Sequence, residues 1–173
     1  MTEFIIGFIL VIVIALLMGW FMPRQAMRRR DVEIAAPRTT VWEAAANIET
    51  HPRWHPDITD VEKIGDGRWK ITRKDGQEYV METAESLPPE RIRWMFEETH
   101  GGFRGEWRLT LEERGGGTRI KGIHHDEMGN PLMRVVAMLR GGRHSGLTEF
   151  LEELRVHLER KDVAPPADEA AEA

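Results

Sequence analysis

The stretch GEWRLTLEERGGGTRIKGIHH, residues 105–125, carries the clearest structural pattern in the chain. On each side of its three glycines, apolar residues alternate with charged or polar ones. Side chains of a strand point alternately to opposite faces, and a run of glycines predicts a tight turn. We therefore expect a β-hairpin with one buried and one exposed face. The positions expected to face inward are Trp107, Leu109, Leu111, Ile120, Gly122 and His124.

The same alternation extends outward from this hairpin. Residues 58–126 are divided by glycine, proline and aspartate turn signals into about six strands, which predicts an antiparallel meander. In EYVMETA both faces carry a polar group, and we expect Tyr79 and Met81 to face inward. The other inward positions are Trp69, Ile71, Ile92, Trp94 and Phe96.

Helical patterns flank the meander. A short strand at residues 31–34 precedes a helix that begins near Pro37, and residues 50–58 can hold at most one helical turn because of their two prolines. After the meander, residues 131–160 show apolar positions at helical spacing. The segment RGGRHSG, residues 140–146, should break this helix, and PLMRVVAML before it would act as a gate.

The chain begins with an uncharged, mostly apolar run at residues 4–22. As a helix it would be about 28 Å long, close to the roughly 30 Å hydrocarbon core of a bilayer. Its length and acidic start favour a retained anchor over a cleaved signal peptide. Arginines follow it on one side only, which predicts a single-pass protein with its folded domain in the cytoplasm. The anchor residues are Phe4, Trp20, Phe21 and Met22, and the basic juxtamembrane residues are Arg24, Arg28, Arg29 and Arg30.

Length and composition limit the number of domains and the kinds of partner and site. With 173 residues the chain has room for one ordinary domain. We expect the anchor and basic segment at residues 1–30, the domain at 31–161 and a disordered acidic tail at 162–173. The net charge of −5 argues against nucleic-acid binding, and the lack of cysteine excludes disulfides and thiolate metal sites.

Taken together, residues 31–160 resemble the polyketide cyclase/dehydrase branch of the START/Bet v 1-like (SRPBCC) superfamily. The resemblance rests on the order of the elements and on the segments VWEAAANIETHPRWHPDITDVEKIGDG, LPPERIRWMF and GEWRLTLEERGGGTRIKGIHH. It implies an α+β helix-grip fold, in which a curved antiparallel sheet of about seven strands wraps around a long C-terminal helix, here preceded by one transmembrane helix. In this superfamily the space between sheet and helix often holds an apolar ligand.

The resemblance also implies which side chains would line such a pocket. Trp54 would close the short helical corner, and aromatic residues of the sheet would face apolar residues of the C-terminal helix. The expected pocket residues are Trp54, Trp69, Tyr79, Met81, Trp94, Phe96, Trp107, His124, Leu139, Leu147, Phe150 and Leu151.

Catalytic and metal-binding groups are few. His124 and His125 are adjacent on a strand, so only His124 should face the pocket, where it could act as a general acid or base. Glu82, if inward, or Tyr79 would be its partner. His51 and His55 have the spacing of a metal pair, but the prolines around them argue against a regular helix, and we expect a polar surface corner without a metal.

These observations leave three functional hypotheses. The leading one is a membrane-tethered binding module for a lipid, quinone or polyketide-like molecule, without a cofactor. The second is a cyclase or dehydratase-like enzyme that uses His124. The third is a regulator or scaffold of a membrane complex, with protein partners that the sequence does not identify.

Overall fold

The computed structural model describes residues 2–21, 23–99, 103–132, 134–135 and 146–163, with the backbone alone at 2, 3, 5, 9, 15 and 161–163. Three α-helices, one 3₁₀ helix and seven strands are found in this part of the chain. In chain order they are α1 (Thr2–Phe21), β1 (Gln25–Ile34), α2 (Arg38–Ala46), the 3₁₀ helix η1 (Ile48–Arg53), β2 (Ile58–Gly65), β3 (Arg68–Arg73), β4 (Glu78–Leu87), β5 (Arg91–Glu98), β6 (Arg104–Arg114), β7 (Gly117–Glu127) and α3 (Gly146–Val163).

The seven strands form one antiparallel sheet in the order β1-β7-β6-β5-β4-β3-β2. Strands β2 to β7 follow one another as a meander, and β1 returns to pair with β7. The curved sheet and the C-terminal helix that packs on it confirm the expected helix-grip architecture.

The hairpin of residues 105–125 forms as predicted. β6 ends at Arg114 and β7 begins at Gly117, and these two residues are paired. The two turn residues, Gly115 and Gly116, have φ angles of 58° and 87°. Positive φ at both turn positions is the geometry that joins strands most closely, and glycine adopts it without a steric cost.

The core lies between the inner face of the sheet and α3. The predicted alternation is confirmed on β5, β6 and β7, where the inward positions are buried except Trp107, which is partly buried. Helix α3 approaches β7 closely at Gly122, where an added Cβ would lie 3.0 Å from Leu147 Cδ2 and 3.1 Å from Leu151 Cδ1. The helix residues buried against the sheet are Leu147, Phe150, Leu151, Leu154 and Leu158.

Strand β1 corrects the expected start of the sheet. It begins at Gln25 and not at Asp31, and it pairs with β7 from Gln25↔Glu127 to Ile34↔Thr118. The backbone groups of a long strand need partners along their whole length, and β1 supplies them to β7. β1 therefore crosses the expected domain boundary between residues 30 and 31. Arg28, Arg29 and Arg30, predicted as a juxtamembrane segment, are residues of this strand.

The apolar run at the start of the chain forms α1. The described apolar side chains of α1 are exposed, from Phe4 to Phe21, while Met22 lies outside the described residues. The predicted membrane span is not confirmed, because within the described ranges we find no helix that is long and apolar enough to cross a bilayer.

The last turn of α1 contacts the segment that follows β7. The buried guanidinium of Arg134 donates to the Gly19 carbonyl oxygen at 2.8 Å and to that of Gly129 at 3.0 Å. Gly19 is buried, and a Cβ added there would lie 2.1 Å from the Pro131 carbonyl oxygen. Only a glycine allows the two backbones to come this close.

Several predictions fall outside the described part of the chain. The predicted gate is described only at residues 131, 132, 134 and 135, so neither Leu139 nor the break at residues 140–145 is described. Helix α3 begins at Gly146 and extends to Val163, three residues beyond the expected end of the helix. Residues 164–173 of the predicted tail are also outside the described ranges.

Candidate functional site

A cluster of aromatic rings around Phe150 lies between the sheet and α3. The ring centroid of Phe150 is 5.3 Å from that of Trp54, 5.5 Å from Trp107 and 5.7 Å from Trp94. Trp107 lies on β6, Trp94 lies on β5, and Trp54 directly follows η1. We call these four residues the Phe150 cluster, and it is the candidate site.

The sheet positions the next layer of rings. Trp94 and Trp107 are directly paired across β5 and β6, and Phe96 packs against Trp107 at 4.9 Å. Gly105 leaves room for Phe96, since a Cβ at Gly105 would lie 2.8 Å from the Phe96 ring. The cross-strand pairing thus brings large rings together on one face of the sheet.

The two histidines of the short helical corner, His51 and His55, are buried rather than exposed, which corrects the expected polar surface. The ring of His51 lies 5.3 Å from that of Phe150, and its Nε2–H donates to the Ala45 carbonyl oxygen at 2.9 Å. Burial lowers the pKa of His51 to about 4, so the imidazole is neutral at neutral pH. His55 is buried beside it, and burial likewise lowers its pKa.

His124 faces the interior, as the alternation predicted. Its side chain is 5% exposed, and its ring lies 5.8 Å from that of Trp107. Its Nε2 is in direct contact with Oδ1 of Asp126, which is 1% exposed. The acidic partner of the histidine is therefore Asp126 and not Glu82.

The sequence held a signal for Asp126 that our prediction did not use. Residues 124 and 126 are two apart on β7, so the alternation that turns His124 inward also turns Asp126 inward. The same rule turns Glu82 outward, because its neighbour Met81 is buried. The Glu82 side chain is 55% exposed and lies 3.6 Å from Arg68 in an ion pair.

Tyr79 and Met81 face inward, as expected. The ring of Tyr79 lies 6.2 Å from that of Phe96, and Met81 is buried. Burial raises the pKa of Tyr79 to about 12. The phenol is therefore protonated at neutral pH and can act as a hydrogen-bond donor rather than as a base.

A charged cluster lies beside the site, at the start of α3. Arg73 Nη2 is 2.8 Å from Asp57 Oδ2 and 3.7 Å from Glu149 Oε2. Burial opposes the ionisation of Asp57, but hydrogen bonds from Arg73 and Glu149 hold its pKa below the usual value. Burial and the charge of Asp57 raise the pKa of Glu149. The cluster thereby connects the first turn of α3 to β3.

The structure brings the described predicted pocket residues together. Each lies in the core or packs against it. Their contact with a ligand stays a prediction. Four of them are only partly buried although they face the interior: Trp54, Trp69, Tyr79 and Trp107. The described residues contain no group of three or more His, Asp or Glu side chains that could hold a metal ion.

Known proteins show the family to which the sequence is similar. Residues 27–159 match the family described as "Polyketide cyclase / dehydrase and lipid transport". No curated protein is similar enough to this chain to count as a relative.

Solved structures share the fold. A conserved protein from Geobacillus kaustophilus is 15% identical, with a TM-score of 0.67, and the match covers 78% of this chain and 96% of that one. A START superfamily protein from Mycobacterium smegmatis is 21% identical, with a TM-score of 0.58 and coverage of 78% and 97%. Norcoclaurine synthase from Thalictrum flavum is 17% identical, with a TM-score of 0.60 and coverage of 76% and 91%. At these identities the likeness shows the fold alone.

Proposed function

This chain belongs to the polyketide cyclase / dehydrase and lipid transport family, and we propose from this membership that it binds an apolar small molecule between the sheet and α3. A lipid, a quinone or a polyketide-like molecule has the required chemistry. Pockets for such ligands are concave and lined mostly by apolar and aromatic side chains.

One observation carries this proposal: aromatic side chains on the inner face of the sheet retain accessible surface. Trp107 shares that face of β6 with Leu109, which is fully buried, yet Trp107 is only partly buried. Trp54, whose ring lies 5.3 Å from that of Phe150, is also only partly buried. Accessible aromatic surface inside a fold offers a contact area for an apolar ligand.

Native mass spectrometry of the detergent-solubilised full chain tests the proposal. We expect the wild-type chain to carry a bound lipophile, and Trp107→Glu to lose it because the substitution introduces a charge into the aromatic site. Met95→Glu is the matched control, because Met95 is 50% exposed. A wild-type chain that is empty, and stays empty when offered membrane extracts, would contradict the proposal.

A second candidate function is proton transfer on the bound molecule, which the contact between His124 and Asp126 favours. A carboxylate beside an imidazole orients the ring and fixes its tautomer. His124 would then remove a proton from the carbon next to a carbonyl group, as a cyclase or dehydratase requires.

Exchange of α-protons of 2-tetralone in D₂O tests this second candidate. We expect wild-type protein to accelerate the exchange at least about tenfold over His124→Gln. His125→Gln is the control, because His125 is exposed on the opposite face of the same strand. Equal exchange rates for wild-type and His124→Gln would rule out the proton-transfer role.

We propose in addition that α1 tethers the domain to a lipid surface. The described apolar side chains of this 20-residue helix are exposed on all sides, including Phe8, Leu10 and Leu16, which point in different directions. An all-round apolar surface suits lipid better than a protein partner, which contacts one stripe of a helix.

Flotation with lipid vesicles tests the tether. The wild-type chain should float with vesicles, and a Leu10→Glu, Ile14→Glu chain should not, because two charges oppose burial in lipid. Met95→Glu again serves as the control, since it adds a charge to the exposed surface of the domain. Flotation of the double variant to the same extent as wild type would exclude this role of α1.

A further inference from the structure

The Phe150 cluster and its surroundings contain indole N–H groups without an acceptor. The Nε1 atoms of Trp54, Trp69 and Trp107 are buried and have no hydrogen-bond partner among the described residues. An indole nitrogen can only donate, and a buried tryptophan usually finds an acceptor. A buried donor without one costs free energy that a bound acceptor would restore.

Two of these donors belong to rings that pack against the same side chain. Trp54 and Trp107 contact Phe150 from different elements, at ring-centroid distances of 5.3 Å and 5.5 Å. Trp107 also packs against Phe96 and lies near His124. The rings around Phe150 therefore form an aromatic surface that contains the indole N–H donors of Trp54 and Trp107.

This combination selects among apolar ligands. A pure hydrocarbon would leave both indole N–H groups unpaired, and an ammonium group would bring further donors where acceptors are lacking. A neutral carbonyl oxygen accepts a hydrogen bond and enters an apolar site more easily than a charged group does. A site that forms hydrogen bonds to its ligand discriminates strongly against a similar ligand that leaves the buried polar groups of the site unpaired.

We propose that Trp107 and Trp54 are specificity-determining donors, which select an apolar molecule bearing a carbonyl oxygen over a hydrocarbon of the same shape. This inference rests on the proposed ligand-binding function and assigns a chemical class to its ligand.

Binding of 9-fluorenone and fluorene to the full chain tests the assignment, because the two molecules differ only in the carbonyl group. Trp107→Phe and Trp54→Phe should each weaken fluorenone binding about tenfold and change fluorene binding less than about twofold. Comparing each ligand between variants cancels its partition into detergent. Trp42→Phe is the matched control, because its buried Nε1 also lacks a partner among the described residues but its ring makes no described contact with Phe150.

A spectroscopic readout separates hydrogen bonding from packing. In a ¹⁵N–¹H spectrum of the six indole groups, the Trp107 signal is identified by its loss in Trp107→Phe. Fluorenone should shift this signal downfield, and fluorene should not. The inference is overturned if Trp107→Phe and Trp54→Phe change the affinities for fluorenone and for fluorene by the same factor. If the wild-type chain binds neither molecule, the proposed apolar site itself is wrong, because fluorene does not need the donors.

Discussion

His51 is a single residue whose burial has a consequence for the whole protein. Its folded-state pKa is about 4, against 6.5 for the exposed side chain, because burial disfavours the charged form. Between these values the unfolded chain binds a proton that the folded chain does not. The stability contributed by neutral His51 is therefore fully present above pH 6.5 and is lost as the pH falls to 4.

The first prediction concerns this pH window. The free energy of unfolding should fall by about 3 kcal/mol between pH 6.5 and pH 4 on account of His51. His51→Gln keeps a donor for the Ala45 carbonyl oxygen and removes the titration, so denaturant unfolding of this variant should show a flatter pH profile. His125→Gln, on the exposed face of β7, should leave the profile as in wild type. A wild-type profile in His51→Gln would show that another group causes the loss.

At the scale of elements, the packing of α3 on β7 depends on a residue without a side chain. Gly122 lies under Leu147 and Leu151, and a Cβ there would also be 3.2 Å from the Arg30 carbonyl oxygen. An added Cβ would therefore meet both the helix and the neighbouring strand, and the Leu147 and Leu151 side chains would have to shift by a few tenths of an ångström. Glycine lets α3 approach the sheet without this shift.

The second prediction follows from this packing. Gly122→Val should destabilise the protein by about 1–3 kcal/mol, because overpacking forces the helix away from the sheet or distorts both. Gly129→Val is the control, since nothing lies within 4 Å of a Cβ at Gly129. Urea unfolding of both variants measures the difference. Equal stability of the two would show that α3 can shift without cost.

At the scale of the whole molecule, β1 connects the N-terminal helix to the domain. It pairs with β7 from Thr118 to Glu127, and Arg30 forms an ion pair with Glu152 of α3 at 3.2 Å. Met128 N–H donates to the Arg24 carbonyl oxygen at 2.9 Å just before the strand. The folded unit therefore extends to within a few residues of α1.

The third prediction locates the start of that unit. A chain that begins at residue 31 should be less stable than one that begins at residue 23 by about 3 kcal/mol, because six cross-strand pairs with β7 are lost. Both chains lack α1, so its contribution cancels. Thermal unfolding and light scattering compare the two, and the shorter chain should also associate through its exposed strand edge. Identical melting and no association would mean that residues 25–30 add nothing to the fold.

Sequence patterns of short range predicted much of the fold and of the site. The period of two identified the inner face of β5, β6 and β7, and the helical period identified the face of α3 that covers it. These two rules assigned Trp94 and Trp107 to one face of the sheet and Phe150 to one face of the helix, whereas their grouping in one pocket was implied by the family resemblance. They succeed because alternation and helical spacing are properties of a single element and need no knowledge of its neighbours.

Tertiary structure decided what depends on contacts between distant segments. Arginines suggested a segment outside the domain, yet pairing with β7 makes residues 25–30 a strand. The sequence predicts His51, directly before Pro52, in a polar surface corner, yet the packing of η1 against Phe150 buries it. The sequence by itself determined which side chains face inward, because backbone geometry sets the alternation. Only the tertiary structure decided what each inward side chain meets, because burial and strand pairing depend on residues far apart in the chain.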